Sequence, residues 1–93
     1  MSVVYEADAI GSTARAIADP TRRRILERLG ERPGSTTGEL AAAAPGFTRF
    51  AVIKHLDVLR SAGLVRTMAD GRRRRHYAET AAFGPLRDWL ARR

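Results

Sequence analysis

Residues 47 to 65, FTRFAVIKHLDVLRSAGLV, constrain the fold of this chain more than any other stretch. When successive residues are placed about 100° apart around a helix, Val52, Leu56 and Leu59 fall within one narrow arc. Lys54 lies on the opposite side of the same helix, together with other polar groups. A helix with this pattern packs its apolar face on a core and leaves the other face open. The stretch therefore predicts an amphipathic helix that both completes a core and offers a binding surface.

Helix start and stop signals lie upstream of this stretch. Asp19-Pro20 suits the N-cap and first position of a second helix, because proline there lacks an N–H that would go unpaired. Thr36 and Glu39 form a capping box at the start of a third helix, which Pro45-Gly46 ends. A weaker first helix is predicted over residues 9–18. The third and fourth predicted helices are therefore joined by a short turn, as in a helix-turn-helix.

A β-hairpin is predicted after the fourth helix. Asp70-Gly71 is a strong signal for a two-residue type I′ turn, and it separates LVRTMA from RRRRHYA. A loop at these two residues sets Arg66 opposite Arg75, and like charges in that position destabilise a strand pair. Because local conflicts are expected where function lies, we expect an external polyanion to relieve this one. The alternative is that the exposed arginines point apart into water and contribute nothing.

The order of the predicted elements is helix, helix, helix-turn-helix, β-hairpin and a final helix that starts near Thr80. This order predicts a mostly α fold with a small β-hairpin, namely a winged helix-turn-helix made of helices and a two-stranded wing. A chain of 93 residues is long enough for one small domain. Residues 1–93 are therefore predicted to form a single DNA-binding domain with dimerising terminal segments.

The charge balance favours an anionic partner. The formal net charge is +7 and the isoelectric point is about 11.4, which places nucleic acid ahead of a membrane surface. No apolar run approaches the roughly 20 residues of a membrane span. The absence of cysteine excludes disulfides and thiolate metal sites, and it suits a cytoplasmic protein. His55 and His76 are accompanied by no serine or carboxylate constellation, so an enzyme is not expected.

The open face of the fourth helix carries the residues expected to read DNA. The second helix of a helix-turn-helix enters the major groove, where Lys54 and Arg49 can donate to guanine or phosphate. Phe50 and Ile53 are placed to touch thymine methyl groups, and Thr48 either caps the helix or binds a phosphate. The wing is expected to lie along a phosphate backbone. The predicted DNA-binding residues are Arg23, Thr48, Arg49, Phe50, Ile53, Lys54, His55, Arg72, Arg73, Arg74 and Arg75.

Several of these residues have a structural alternative. Lys54 and Arg49 can be solvated charges, and Phe50 can be a packing residue at the turn. His55 lies on the core flank, where packing and a phosphate contact are equally expected. Cations in the first turns of the second helix oppose its dipole, so at least one of these arginines is expected to point at phosphate. Arg23 is the one included in the predicted DNA-binding set.

Apolar residues at both termini predict a two-fold dimer. The last helix carries more apolar surface than a small monomer covers, and the first residues have the same character. The alternative is that both termini close over their own domain. The predicted dimer interface consists of Val4, Tyr5, Ile10, Phe83, Leu86, Trp89 and Leu90.

The motifs ADPTRRRILERL, GELAAA, AVIKHLDVLRSAGLV and DGRRRRHY, in this order over roughly residues 14 to 78, resemble the ArsR family of bacterial winged-helix repressors. The resemblance implies a homodimer that binds a short inverted repeat in double-stranded DNA and blocks transcription. It also implies that residues 48–55 contain the DNA-reading segment and that residues 72–75 form the wing. The turn PGF is one residue longer than the commonest turn of the family.

Metal sensing, which occurs in this family, does not carry over to this sequence. The family's metal sensors have cysteine pairs near the third helix, where this chain reads ELAAAA, or ligand clusters on the terminal helices, and no histidine here follows His76. We therefore expect no metal and no cofactor, while a small-molecule effector stays unknown. The rival interpretation is a winged-helix module that binds protein, with its arginines on an acidic partner.

Overall fold

The computed structural model describes residues 2–93, with side chains from residue 8 onward. The expected winged helix-turn-helix is confirmed. A 3₁₀ turn starts at Thr80, where the final helix was predicted to start, and α5 itself starts at Gly84. The elements are α1 (Ser2–Ile17), α2 (Pro20–Glu31), β1 (Ser35–Thr36), α3 (Thr37–Ala42), α4 (Arg49–Ser61), β2 (Val65–Asp70), β3 (Arg73–Ala78), a 3₁₀ turn (Thr80–Phe83) and α5 (Gly84–Ala91).

The first helix is longer than the sequence predicted. It spans Ser2–Ile17 rather than residues 9–18. Gly11 lies inside it, because one interior glycine costs a helix only about 1 kcal/mol and packing can supply more than that. Among its side chains from residue 8 onward, those of Thr13 and Ala16 are buried.

Side-chain caps begin each helix of the helix-turn-helix region. Asp19 Oδ1 accepts hydrogen bonds from the backbone N–H of Thr21 at 2.7 Å and of Arg22 at 3.1 Å. Thr36 and Glu39 form the predicted capping box, with distances of 3.1 Å and 2.7 Å for its two hydrogen bonds. These bonds satisfy N–H groups that have no partner inside the helices. The starts of α2 and α3 are therefore set locally.

The core lies between α2, α3, α4 and the base of the wing. The narrow arc predicted on α4 is the buried one, and its three members are at most 2% exposed. The buried apolar residues are Ala16, Ile25, Leu29, Leu40, Val52, Leu56, Leu59, Leu64 and Val65. This packing turns the opposite face of α4 toward solvent.

The wing differs from the prediction in strand number and in register. A third strand, Ser35–Thr36, pairs with β3, so the antiparallel sheet has the order β1-β3-β2. In the hairpin, Asp70 pairs with Arg73, and the two loop residues are Gly71 and Arg72. Gly71 has φ +60°, and no described non-glycine residue has a positive φ. A positive φ at the first loop residue alone is the pattern of a type II′ turn, whereas a type I′ turn at these two residues would need a positive φ at Arg72 as well.

The observed register removes the predicted clash of like charges. Arg66 lies opposite Tyr77, stacks on its ring at 4.6 Å and donates from Nε to Glu79 at 2.7 Å. Arg75 lies opposite Met68 and donates from Nε to an Asp70 carboxylate oxygen at 2.6 Å. The inference that an Arg66–Arg75 conflict calls for an external polyanion was therefore wrong. No helix within residues 2–93 combines the length and apolar character needed to cross a membrane.

Candidate nucleic-acid interface

The outer face of α4 exposes large apolar side chains beside basic ones. Phe50 is 68% exposed and Ile53 is 43% exposed. Lys54 Nζ lies 5.0 Å from the centre of the Phe50 ring, a cation–π contact one helical turn along. Thr48 caps the helix, because its Oγ1 accepts from the N–H of Ala51 at 3.1 Å. The first turns of α4 therefore present an apolar patch with charged neighbours to solvent.

A cleft of about 860 Å³ separates this face from the wing. Its acidic side chains are already engaged: Asp57 pairs with Arg60 at 2.5 Å, and Glu39 belongs to the capping box. The N–H and hydroxyl of Thr36 hold the pKa of Glu39 below its ordinary value. The cleft therefore presents a net positive surface, and the basic residues that line it are Arg49, Arg60, Arg72, Arg73 and Arg74.

The wing arginines fall into two groups. Arg72, Arg73 and Arg74 are exposed, and none of them forms an ion pair within the described residues. Arg75 is half-buried, and besides Asp70 it donates to the Gly34 carbonyl oxygen at 3.1 Å. The bond to Asp70 and the charge of that carboxylate raise the pKa of Arg75. Arg75 thus fastens the wing to the turn before β1, while the other three are free to meet a ligand.

The arginines at the start of α2 hold the end of α1. Arg22 donates from Nε to the Ala16 carbonyl at 2.6 Å, and Arg23 donates from Nη1 to the Ile17 carbonyl at 2.6 Å. Cations are favourable at this position because the last carbonyls of a helix carry partial negative charge. Arg22 Nη1 also lies 3.5 Å from Nδ1 of the half-buried His55 on α4. The phosphate contact of Arg23 stays a prediction, with one of its nitrogens already bonded.

His76 lies at the junction of α3 and both long wing strands, a role that the sequence did not reveal. It is 2% exposed. Its Nε2 lies 2.8 Å from Thr37 Oγ1, and its Nδ1 lies 2.9 Å from Thr67 Oγ1. Arg60 of α4 donates to the same Thr67 oxygen at 3.2 Å. Since that hydroxyl accepts from Arg60, it can donate to Nδ1, which leaves Nε2–H to donate to Thr37.

The structure brings part of the predicted DNA-binding set together. Arg49 and Ile53 share the cleft with the wing arginines 72–74, and Phe50 and Lys54 contact each other on the same helix. His55 and Arg23 instead contact or flank the junction of α1 and α2. Composition and spacing were sufficient to find the first group. The second group depends on tertiary contacts that no local pattern shows.

Comparisons with known proteins identify the family. Residues 17–67, more than half of the chain, match the family model described as a helix-turn-helix domain. The HTH-type transcriptional regulator Rv2034 of Mycobacterium tuberculosis is 42% identical over 78 residues, which cover 84% of this chain and 71% of that protein. The crystal structure of the ArsR family transcriptional regulator RHA00566 superposes with a TM-score of 0.81 at 34% identity, covering 92% of this chain and 87% of that one.

The chain belongs to the ArsR family of winged helix-turn-helix transcriptional regulators. Members of this family regulate transcription and are not enzymes, which confirms the expectation drawn from the histidines.

One solved structural neighbour is a metal sensor. The cadmium metal-sensor CmtR of Mycobacterium tuberculosis is 39% identical, covers 82% of this chain and 80% of its own, and superposes with a TM-score of 0.63. The present chain contains no cysteine. Among its described residues, no three histidine, aspartate or glutamate side chains are grouped so that they could hold a metal ion. The residues present therefore do not fit a thiolate site for a soft metal.

The terminal helices of this ArsR-family chain pack against each other and still expose apolar surface. Phe83 packs on the core of its own domain, and Ile10 and Leu86 are half-buried. Trp89 is 40% exposed and Leu90 is 57% exposed. The side chains of two further predicted interface residues, Val4 and Tyr5, lie outside the described residues.

Proposed function

We propose that this ArsR-family protein is a sequence-specific, double-stranded DNA-binding repressor that acts as a homodimer on an inverted-repeat operator. One observation carries the proposal: the solvent face of α4 adjoins a cleft whose acidic groups are engaged, while the wing arginines that line it, residues 72–74, form no ion pair within the described residues. A surface of this kind attracts a polyanion and offers it a protruding helix. The proposed location is the cytoplasm, which contains the DNA that a bacterial regulator binds.

The dimensions of α4 suit the major groove. A helix with its side chains is about 10–12 Å across, and the major groove is about 12 Å wide. With α4 in the groove, its N-terminal residues meet base edges, and Arg49 and Lys54 supply the hydrogen-bond donors. Arg72, Arg73 and Arg74 then reach the flanking phosphates from the other side of the cleft. Base contacts on α4 provide specificity, while the wing provides affinity.

Dimerisation through the terminal helices matches the proposed operator. The exposed Trp89 and Leu90 lie on α5, which packs on α1, away from the cleft beside α4. A two-fold axis there leaves both copies of α4 free to bind half-sites about one DNA turn, roughly 34–36 Å, apart. A dimer bound across a promoter blocks access to it, and this is the basis for proposing repression.

The proposal is tested by fluorescence anisotropy with a random duplex and with duplexes selected from a random pool, each at several salt concentrations. We expect binding to both, tighter binding to selected duplexes, and a log affinity that falls linearly with log salt. Each phosphate contact contributes about −0.9 to that slope, so Arg73→Gln should flatten it by about that amount. Arg75→Gln, which removes an arginine already bound to Asp70 and Gly34, should flatten it less.

The rival function gives a different result in the same experiment. A winged-helix module for an acidic protein would bind polyglutamate as well as it binds duplex DNA, and it would select no sequence. Selected duplexes that bind no tighter than the random duplex would overturn the proposal of an operator.

A further inference from the structure

The chain contains no asparagine and no glutamine. Adenine is recognised in the major groove mainly by the side-chain amides of these two residues, which donate to N7 and accept from N6–H in one bidentate contact. This route is therefore closed to every position of α4. Thymine also presents two groups of its own in the major groove, the O4 acceptor and the 5-methyl group, and the methyl group is the apolar one.

The exposed face of α4 carries the apolar side chains that such a methyl group requires. Phe50 and Ile53 are three residues apart, so they are neighbours on one helix face. They are exposed by 68% and 43%, whereas Val52 between them is buried. Phe50 lies in the first turn of α4, where a groove-inserted helix meets base edges. Exposed large apolar groups clustered on a binding element indicate an apolar partner.

Two cationic side chains, Arg49 and Lys54, flank the apolar patch formed by Phe50 and Ile53. The Lys54 ammonium lies over one face of the Phe50 ring at 5.0 Å, and Arg49 precedes Phe50 in the chain. Lys54 covers one side of the ring and leaves the ring edge to meet a partner. The two cations can serve guanine or phosphate, while the apolar pair between them serves a methyl group.

We propose that α4 reads A·T pairs through the 5-methyl group of thymine, contacted by Phe50 and Ile53, and not through the hydrogen-bonding edge of adenine. The inference rests on the proposed function, because it assumes that α4 enters the major groove. It names the chemical class that the site recognises, a 5-methylpyrimidine. By the same chemistry, 5-methylcytosine should substitute for thymine better than cytosine does.

The experiment replaces each thymine of a selected duplex by uracil, one at a time, which removes the methyl group and keeps the base pairing. We expect about a fourfold loss of affinity at one or more positions in each half-site, the effect of removing one buried methyl-sized group. The Phe50→Ala or Ile53→Ala variant should bind the thymine duplex and the uracil duplex with equal affinity when the substituted position is the one that the lost side chain contacts. Both side chains are exposed, so these variants should fold, which far-UV circular dichroism can check.

Val58→Ala is the matched control. Val58 is 41% exposed on the same helix but lies toward α1, outside the cleft that Ile53 lines. This variant should keep the full preference for thymine over uracil. Loss of that preference in Val58→Ala would show that the variants act through helix stability, and it would overturn the assignment.

A second series exchanges the whole base pair at the sensitive position. We expect affinity to rank T·A first, 5-methyl-C·G next and C·G last, because only the first two carry the methyl group. Equal weakening by both cytosine pairs would mean that the pair is read through its hydrogen-bonding groups and not through the methyl group, and it would overturn the inference while leaving DNA binding intact. The inference is also overturned if uracil lowers the affinity at no position, or if the selected sequences share no A·T pair. Failure to bind any duplex would overturn the proposed function as well.

Discussion

His76 ties three elements together through two hydroxyl groups, and its surroundings set its charge. Burial lowers the pKa of His76 below its ordinary value of 6.5, and the positive charges of Arg60 and Arg74 add to the effect. The hydrogen-bonded chain from Arg60 through Thr67 to Nδ1 needs that nitrogen as an acceptor. A protonated imidazole has no acceptor, so the neutral form is the one that fits the junction.

Acidification is therefore expected to destabilise the protein through this residue. Because the pKa is lower in the folded state, the unfolded chain binds more protons between that value and 6.5. The free energy of unfolding should fall as the pH drops below about 6.5, the ordinary histidine pKa. Urea unfolding followed by circular dichroism, from pH 7.5 to 5 at fixed protein concentration, measures it.

The His76→Gln variant separates this effect from other groups. It should be less stable than wild type at pH 7.5, and its stability should change less with pH over the same range. Asp19 and Glu39 also have lowered pKa values, but as carboxylates they act at lower pH. Parallel pH profiles for the two proteins would contradict the assignment to His76.

Among the elements, α4 is defined at both ends by local chemistry. Thr48 caps its start, and Gly63, with φ +75°, follows its end. The N–H of Leu64 donates to the Leu59 carbonyl oxygen at 2.9 Å, and the N–H of Gly63 donates to the Arg60 carbonyl oxygen at 3.0 Å. These are the two bonds of a Schellman motif. The motif directs the chain from α4 into β2 and so relates the wing to the helix.

Two glycine-to-alanine substitutions should therefore have opposite signs. Gly63→Ala should lower the free energy of unfolding by about 1–2 kcal/mol, because a Cβ disfavours the left-handed conformation. The added Cβ would lie 3.7 Å from the Ala82 Cβ, an ordinary van der Waals contact. The loss of stability therefore comes from the backbone conformation and not from a steric clash. Gly30 lies inside α2, and a Cβ added there would meet no atom within 4 Å. Gly30→Ala should therefore raise the free energy of unfolding by about 0.5–1 kcal/mol. Denaturant titration of both variants checks the pair, and changes of the same sign would contradict it.

At the scale of the whole molecule, the proposed operator binding depends on the oligomeric state. The terminal helices enclose part of their apolar surface within the chain and leave Trp89 and Leu90 exposed. A chain of this size gains stability when a second copy covers such a surface. Phe83 packs on the core of its own chain, so the dimer prediction depends mainly on Trp89 and Leu90.

Trp89→Glu should convert the dimer to a monomer and abolish tight operator binding, because a buried carboxylate at the interface is costly. Sedimentation velocity at micromolar concentration measures the first effect, and anisotropy measures the second. Met68→Glu is the control for oligomeric state, since Met68 is 51% exposed but lies on the wing. A wild-type monomer at that concentration would overturn the dimer proposal.

Operator binding should also be independent of transition metals. Soft metals prefer thiolate or imidazole ligands, and this chain has no cysteine and only two histidines, of which His76 is buried. Affinity measured with chelator, and then with added zinc, nickel or cadmium, should change by less than twofold. A reproducible tenfold shift, about 1.4 kcal/mol, would reveal a site formed across the dimer.

The sequence by itself determined the order of elements, the starts of α2 and α3 and the buried arc of α4. These features depend on caps, glycines and apolar spacing, which act within a few residues of one another. The same is true of the exposed basic and apolar side chains on α4. Local chemistry was therefore sufficient for the fold class and for the group of residues around the cleft.

Only the tertiary structure decided the wing register, the third strand and the partners of the arginines. The predicted and observed registers differ by two residues on one strand, and such a shift leaves each side chain on the same face. The hydrophobic pattern therefore fits both registers, and turn geometry at Gly71 distinguishes them. Likewise, Arg22 bonds to Ala16, Arg75 to Gly34 and His76 to Thr37, and each of these partners lies six or more residues away. Contacts of that kind form only when the chain has folded, because no local spacing places the two groups together.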